Sequence, residues 1–163
     1  MRSWPCAVLL LALACAGCNR HHTRSNTAAV EGGVRAFMRT VAHDVTQEGP
    51  TAWSKHFADS PAFFMAVNGQ MAFPSGAAAM AAIPNVALAI KHIELQWGDD
   101  LRVDVLMPKL AVVAGSYREI QVDAVGHRAE DKGFFTGVVE YREGRWQFRD
   151  AHWSSAAPPV PVP

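Results

Sequence analysis

"GFFTGVVEYREGRWQFRDAHWSS" occupies residues 133–155 and carries a single interruption, Glu143-Gly144. On both sides of it, aromatic and β-branched residues recur at short intervals. The stretch therefore predicts two long antiparallel strands joined by a two-residue turn. Such a turn sets Arg142 against Arg145 and Tyr141 against Trp146. Alternation then groups Tyr141, Val139, Gly137 and Phe135 with Trp146, Phe148, Asp150 and His152 on one face. The other face holds Glu140, Val138, Thr136 and Phe134 with Gln147, Arg149, Ala151 and Trp153. The first face is more aromatic at the turn end and is expected to be concave, against helices. In this register Gly137 lies opposite Asp150, which leaves room beside the carboxylate.

Upstream, "KHIELQW" (91–97), "LRVDVLM" (101–107) and "LAVVAGSYREIQV" (110–122) are also β-rich. The first two are readable as one strand bent at Gly98. In the third, Leu110, Val112, Ala114, Ile120 and Val122 share a face with Ser116 and Arg118. If that face is the inner one, Arg118 enters the interior with Asp150 and holds the acid ionised. The alternative face carries Tyr117 and Glu119.

The N-terminal part reads as helices and a hairpin. Val30, Val34, Phe37, Met38, Val41 and Val45 form one apolar helical stripe, stopped by Gly49-Pro50. Pro50 suits the first turn of a shorter helix, on which Trp53 and Phe57 stand four apart. Asn68-Gly69 is a strong hairpin signal between strands at 62–67 and 70–73. Ser75 can cap a third helix, which Pro84 is expected to kink or end early. The order α-α-β-β-α-β-β-β-β predicts an α+β fold: one strongly curved antiparallel sheet wrapped around three helices, a cone with a pocket at its open end.

Composition narrows the function. The chain has 163 residues, half of them hydrophobic, which suits one domain with a packed core. Its formal net charge is zero, so no basic excess points to nucleic acid. The start, "MRSWPCAVLLLALACAGC" (1–18), has Arg2 ahead of an apolar run too short to span a bilayer and reads as a targeting segment. All three cysteines, Cys6, Cys15 and Cys18, lie in it, so the remaining chain has neither disulfides nor thiol chemistry. Residues 18–27 read as a polar tether, in which His21-His22 supplies too few ligands for a metal, and 156–163 as a proline-rich tail. The histidines form no metal-binding spacing, and no phosphate loop, dinucleotide fingerprint or nucleophile elbow is present, so neither metal nor cofactor is expected. His43 and His127 read as surface residues, His56 as a surface residue with the pocket as the alternative, since it falls between Trp53 and Phe57, and His92, Glu94 and Asp104 as a polar strand face.

Two resemblances add to this reading. "CAGC" (15–18) resembles a bacterial lipobox. It implies a signal peptide over 1–17, lipidation of Cys18, and an envelope location with a membrane anchor through the N-terminus alone. Cleavage after Ala12-Leu13-Ala14, giving a soluble secreted form, is the alternative. Secondly, "VRAFMRTVAHDV", "FFMAVNGQMAFPSGAAAM", "AVVAGSYRE" and "EGRWQFRDAHWS", in this order, resemble the nuclear transport factor 2-like superfamily, in particular its SnoaL-like branch, over about 28–155. That superfamily includes isomerases, cyclases, dehydratases, hydrolases and non-enzymatic binding or assembly domains, so the resemblance implies a pocket and not a reaction.

Three functions follow as expectations. The first is binding of a small apolar molecule in a pocket lined by Trp53, Phe63, Arg118, Phe135, Tyr141, Trp146 and Phe148. The second is cofactor-free acid–base catalysis, with Asp150 as base and His152 as acid or orienter. The third is an assembly domain with a filled pocket. Trp153 with Phe134 on the convex face hints at a homodimer through that surface.

Overall fold

The computed structural model describes residues 6–156, with side chains from Asn26 onward. Most of the expected tail (157–163) and the start of the leader lie outside the described residues, and the Cys18 side chain lies outside the described side chains.

The chain opens with one long helix, α1 (Cys6–Glu48), which runs through the segment read as leader and tether. Among the described residues, no helix is long and apolar enough to cross a membrane. The stripe expected on α1 is its core face: Val34, Met38, Val41 and Val45 are fully buried, and Val30 and Phe37 nearly so. The expected second helix is shorter than the sequence suggested. Gly49–Ala52 forms a 3₁₀ turn started by Pro50, and α2 is the single turn Trp53–His56. The hairpin follows as β1 (Phe64–Val67) and β2 (Gln70–Phe73). Asn68 and Gly69 have φ of 50° and 78°, the left-handed pair that a primed two-residue turn demands. Ser75 caps α3 (Gly76–Ala89) by accepting from the Ala78 amide at 3.2 Å. Pro84 does not end α3, which continues past it to Ala89.

The remaining strands are β3 (Ile90–Trp97), β4 (Arg102–Met107), β5 (Leu110–Asp123), β6 (Arg128–Arg142) and β7 (Arg145–Ser155). They join the hairpin in one seven-stranded sheet of order β2-β1-β7-β6-β5-β3, with β4 also on β5. β3 and β4 lie end to end along β5, interrupted at Gly98–Leu101, so the expected bend at Gly98 is a break between two strands. The sheet is curved and mixed. The expected antiparallel pattern fails at one place, because β1 pairs with β7 in parallel.

The helices occupy the concave side, where α1 packs against β3, β4 and β7. Trp97 donates its indole N–H to the Met38 carbonyl at 2.8 Å and ties α1 to β3. Behind this lies an aromatic cluster centred on Trp153, whose ring meets Trp53, Trp97, Tyr117 and Phe135 at centroid distances of 4.6–5.8 Å.

Candidate functional site

What lines the interior is decided on β7. Near the turn the expected register holds: Arg142 opposes Arg145 and Tyr141 opposes Trp146. Beyond it, Val139 opposes Phe148 but Val138 opposes Asp150. Arg149 is therefore an extra residue, a β-bulge. A bulge exchanges the two faces for everything downstream. Gly137 now opposes Ala151, and Phe135 opposes Trp153. Ala151 and Trp153 turn inward and are buried, while His152 is exposed.

This corrects the expected acid–base pair. Asp150 sits across from Val138, on the outer face, and on its other side pairs with Phe64 of β1. Burial there, with Glu140 adding to it, raises the Asp150 pKa against the opposing pull of Arg149. Neither Asp150 nor His152 lines the cavity described below. Trp153, read as convex, is an inner residue at 9% exposure; Phe134 alone stays outside, at 48%.

β5 is resolved in favour of its alternative face. Arg118 lies outside and makes a two-pronged pair with Glu130, Nε to Oε1 at 2.9 Å and a terminal guanidinium N–H to Oε2 at 3.0 Å. Tyr117, Glu119 and Gln121 face inward and line a cavity of about 260 Å³.

The walls of that cavity are apolar. Trp53 and Phe57 come from α2 and its exit, stacked at 5.2 Å. Met65, Val67 and Phe73 come from the hairpin, Ile83 and Val86 from α3, and Trp153 from β7. Polar groups gather on one wall. There Tyr117 donates its hydroxyl to Asp131 Oδ2 at 2.7 Å, and Ser155 donates to the same oxygen at 2.9 Å. Gln121 donates its amide to Glu119 Oε1. Glu119 and Asp131 stand directly opposite each other in the β5–β6 ladder. Burial pushes the Glu119 pKa up, and the Asp131 charge adds to it despite the Gln121 hydrogen bond. Tyr117 is pushed up to about 12, first by burial and then by its bond to Asp131. A carboxyl that takes a proton readily, beside a second carboxylate and a phenol in an apolar cavity, can bind a hydrogen-bond donor or exchange a proton with a bound molecule.

Of the seven residues expected to contact a ligand, Trp53 alone lines the cavity. Phe63, Phe135 and Phe148 are fully buried core residues. Tyr141 and Trp146 pair with each other near the β6–β7 turn, where the Trp146 indole lies against Gly33 of α1. Glu119 stands on the face given as the alternative for β5; the missed residues are Gln121 and Asp131 beside it on the polar wall, and Trp153 as an aromatic one. Their signal was present in part: Ala151 and Trp153 are apolar at odd positions, Trp146 and Phe148 at even ones, and Arg149-Asp150 breaks the alternation between them.

His56 is also corrected, being buried at 5% rather than on the surface. Its ring meets Phe37 edge-on, and its Nε2 lies 3.2 Å from Asp44 Oδ2. That contact lacks hydrogen-bond alignment, so Nε2 is unsatisfied among the described residues. Burial pushes the His56 pKa down against the pull of Asp44. No group of three His, Cys, Asp or Glu able to hold a metal occurs among the described residues.

No protein-family model matches the chain, and no curated protein matches it. Solved structures do. A provisionally assigned scytalone dehydratase from Novosphingobium aromaticivorans superposes with a TM-score of 0.69 at 11% identity, covering 82% of this chain and 89% of the other. An NTF2-like superfamily protein from Salmonella enterica gives 0.68 at 13% identity, covering 83% and 96%. A hexachlorocyclohexane dehydrochlorinase gives 0.63 at 12% identity, covering 85% and 95%. At these identities the likeness establishes the NTF2-like fold and leaves the chemistry to the site itself.

Proposed function

We propose that this domain binds a small, mostly apolar molecule in the cavity between the β1–β2 hairpin, α3 and the inner face of β5–β7. The observation that carries the reading is the cavity: about 260 Å³, walled by aromatic and aliphatic side chains, with polar groups confined to one side. Pockets of this composition hold apolar bodies and orient them through few polar contacts. A cavity of about 150 Å³ takes benzene, so this one suits a substituted ring or a compact bicycle. The same volume weighs against an assembly domain whose interior is filled by its own side chains. Trp53 and Trp153 both line the space. A screen of small aromatic and alicyclic compounds should therefore change tryptophan fluorescence saturably. Ile83→Trp, which fills the cavity from α3, should abolish that response while the protein stays folded; a response unchanged in the filled variant would refute the reading.

A second reading, cofactor-free acid–base catalysis, is favoured by Glu119. Its raised pKa and its place on the cavity wall are what a proton-transferring group needs. The dehydrochlorinase and the provisionally assigned dehydratase share its fold. The check is turnover of a bound compound that is lost in Glu119→Gln while binding persists; turnover untouched by that change would remove Glu119 from the chemistry.

We also place the domain at the bacterial envelope, held by a lipid on Cys18, on the strength of "CAGC" and the apolar run before it. Metabolic labelling with a radioactive fatty acid should mark the wild type and not Cys18→Ser. Equal labelling, or none in either, would refute the anchor.

A further inference from the structure

Resting on the cavity-binding reading above, we infer that the ligand is an organic cation: an amine or quaternary ammonium on a small apolar body, seated between the aromatic walls and the Glu119–Asp131 wall.

The charge inventory points there first. The cavity lining includes Glu119 and Asp131 and contains no Lys, Arg or His. Neither carboxylate has an ion-pair partner among the described residues, although they stand opposite each other in the ladder. Like charges in directly opposed positions repel. The same two strands show that this is not for want of cations. On their outer face Glu130, adjacent to Asp131 in sequence, pairs with Arg118 and Lys132, each at 2.9 Å. The chain supplies basic partners to the carboxylate that water already screens and none to the two that face the cavity.

The hydrogen-bond inventory agrees. The Tyr117 and Ser155 hydroxyls are both spent on one oxygen of Asp131, and a Gln121 N–H is spent on one oxygen of Glu119. Asp131 Oδ1 and Glu119 Oε2 take no hydrogen bond from the protein among the described residues. The wall thus presents acceptor oxygens that the protein leaves open, and a ligand that bonds to them must donate. A carboxylate or phosphate would meet two like charges with no cation to offset them. A neutral body would leave the acid pair as it is.

The remaining walls fit the same class. Trp53, Phe57, Tyr117 and Trp153 bring four rings to one space, with Tyr117 and Trp153 edge-to-face at 4.7 Å and Trp53 and Trp153 edge-to-face at 5.8 Å. Ring faces attract ammonium groups, most strongly where water is excluded. Cage and carboxylates together solvate a cation on several sides, while the aliphatic residues from α3 and the hairpin take the apolar body.

The test is a charge series of one shape. The full-length protein is titrated with benzylammonium, benzyl alcohol and benzoate near pH 8, read by tryptophan fluorescence excited beyond the probes' absorption. The ammonium should bind about tenfold tighter than the alcohol, and benzoate weakest of the three. In Glu119→Gln and, separately, Asp131→Asn, the advantage of the ammonium over the alcohol should shrink while alcohol binding persists, which also reports that the cavity is intact. Equal affinity for ammonium and alcohol, or preference for benzoate, would overturn the cation assignment and leave the cavity reading standing. Failure of all three to bind would overturn both.

Discussion

The two faces of the β5–β6 ladder make opposite use of the same residue types. Outside, Arg118 grips Glu130 with two hydrogen bonds and Lys132 adds a third contact, which brings the Glu130 carboxyl down to about 2. Inside, one residue along each strand, Glu119 and Asp131 face each other without a cation, and burial moves Glu119 the other way. The outer face is electrostatically settled at a surface where ion pairs contribute little. The inner face keeps its unfavourable charge in a place where it matters more. Stability is given up where it can be exchanged for an interaction with something else, as functional sites commonly require.

That contrast can be broken at several points. The largest effect should come from Trp153→Ala, since this residue joins the inner wall to four other rings. Truncating a buried tryptophan costs roughly 3–5 kcal/mol, so urea unfolding should show a sharply lower midpoint. A small loss would mean the aromatic cluster is not the keystone of the cone.

Glu119→Gln should act in the opposite direction. A carboxyl whose pKa in the fold lies above its ordinary 4.5 binds an extra proton in the native state, so stability falls as pH rises from 4.5 through the raised value. The amide variant escapes that loss. It should be more stable than wild type at neutral pH, with the difference vanishing below pH 4.5. Thermal midpoints across pH 4–8 would check this, and a variant equally stable at every pH would mean the inner face carries no strain.

His56 sharpens the comparison, because it titrates with the opposite slope. Its pKa in the fold lies below the ordinary 6.5, so it lowers stability as pH falls from 6.5 toward the depressed value. Against a His56→Gln background that opposing slope is removed, and the loss of stability with rising pH from Glu119 and Asp150, both raised by burial, should stand out more clearly. The smallest effect is expected outside: Arg118→Ala should shift the thermal midpoint less than Glu119→Gln does and leave ligand affinity unchanged. A loss of affinity on removing Arg118 would mean that outer and inner faces are coupled.

Much of the frame was legible in the sequence because its signals are local. The stripe on α1 is a 3.6-residue repetition, Asn68-Gly69 adopts the one backbone shape it favours, and Ser75 caps the helix that follows it. The register at Glu143-Gly144 was equally local, and it held for the residues next to the turn. The inner face is lost a few residues later, because the only mark of the bulge is the shift of the apolar positions from even to odd across Arg149-Asp150. On β5 both faces are largely apolar in the first half, so alternation alone could not choose between Arg118 and Glu119. Asp131 lies ahead of Gly133, where the aromatic and β-branched pattern begins, whereas β6 starts at Arg128 and runs the length of β5. The parallel pairing of β1 with β7, which brings the hairpin to the cavity, joins segments some eighty residues apart and leaves no trace in either.

The surplus residue at Arg149 has a further consequence, for how such a cup changes its contents over generations. The bulge absorbs that residue, so the pairs beyond it, from Val138 with Asp150 to Gly133 with Ser155, stand as they would in a strand that lacked it. Deleting Arg149 should make the ladder continuous and keep the Trp153 indole inside and His152 outside, so tryptophan emission should stay unshifted; a red-shifted, quenchable emission would argue against the idea. A codon gained or lost at the bulge can thereby be absorbed without disturbing the lining, whereas the same change in the regular part of the strand would exchange its inner and outer side chains.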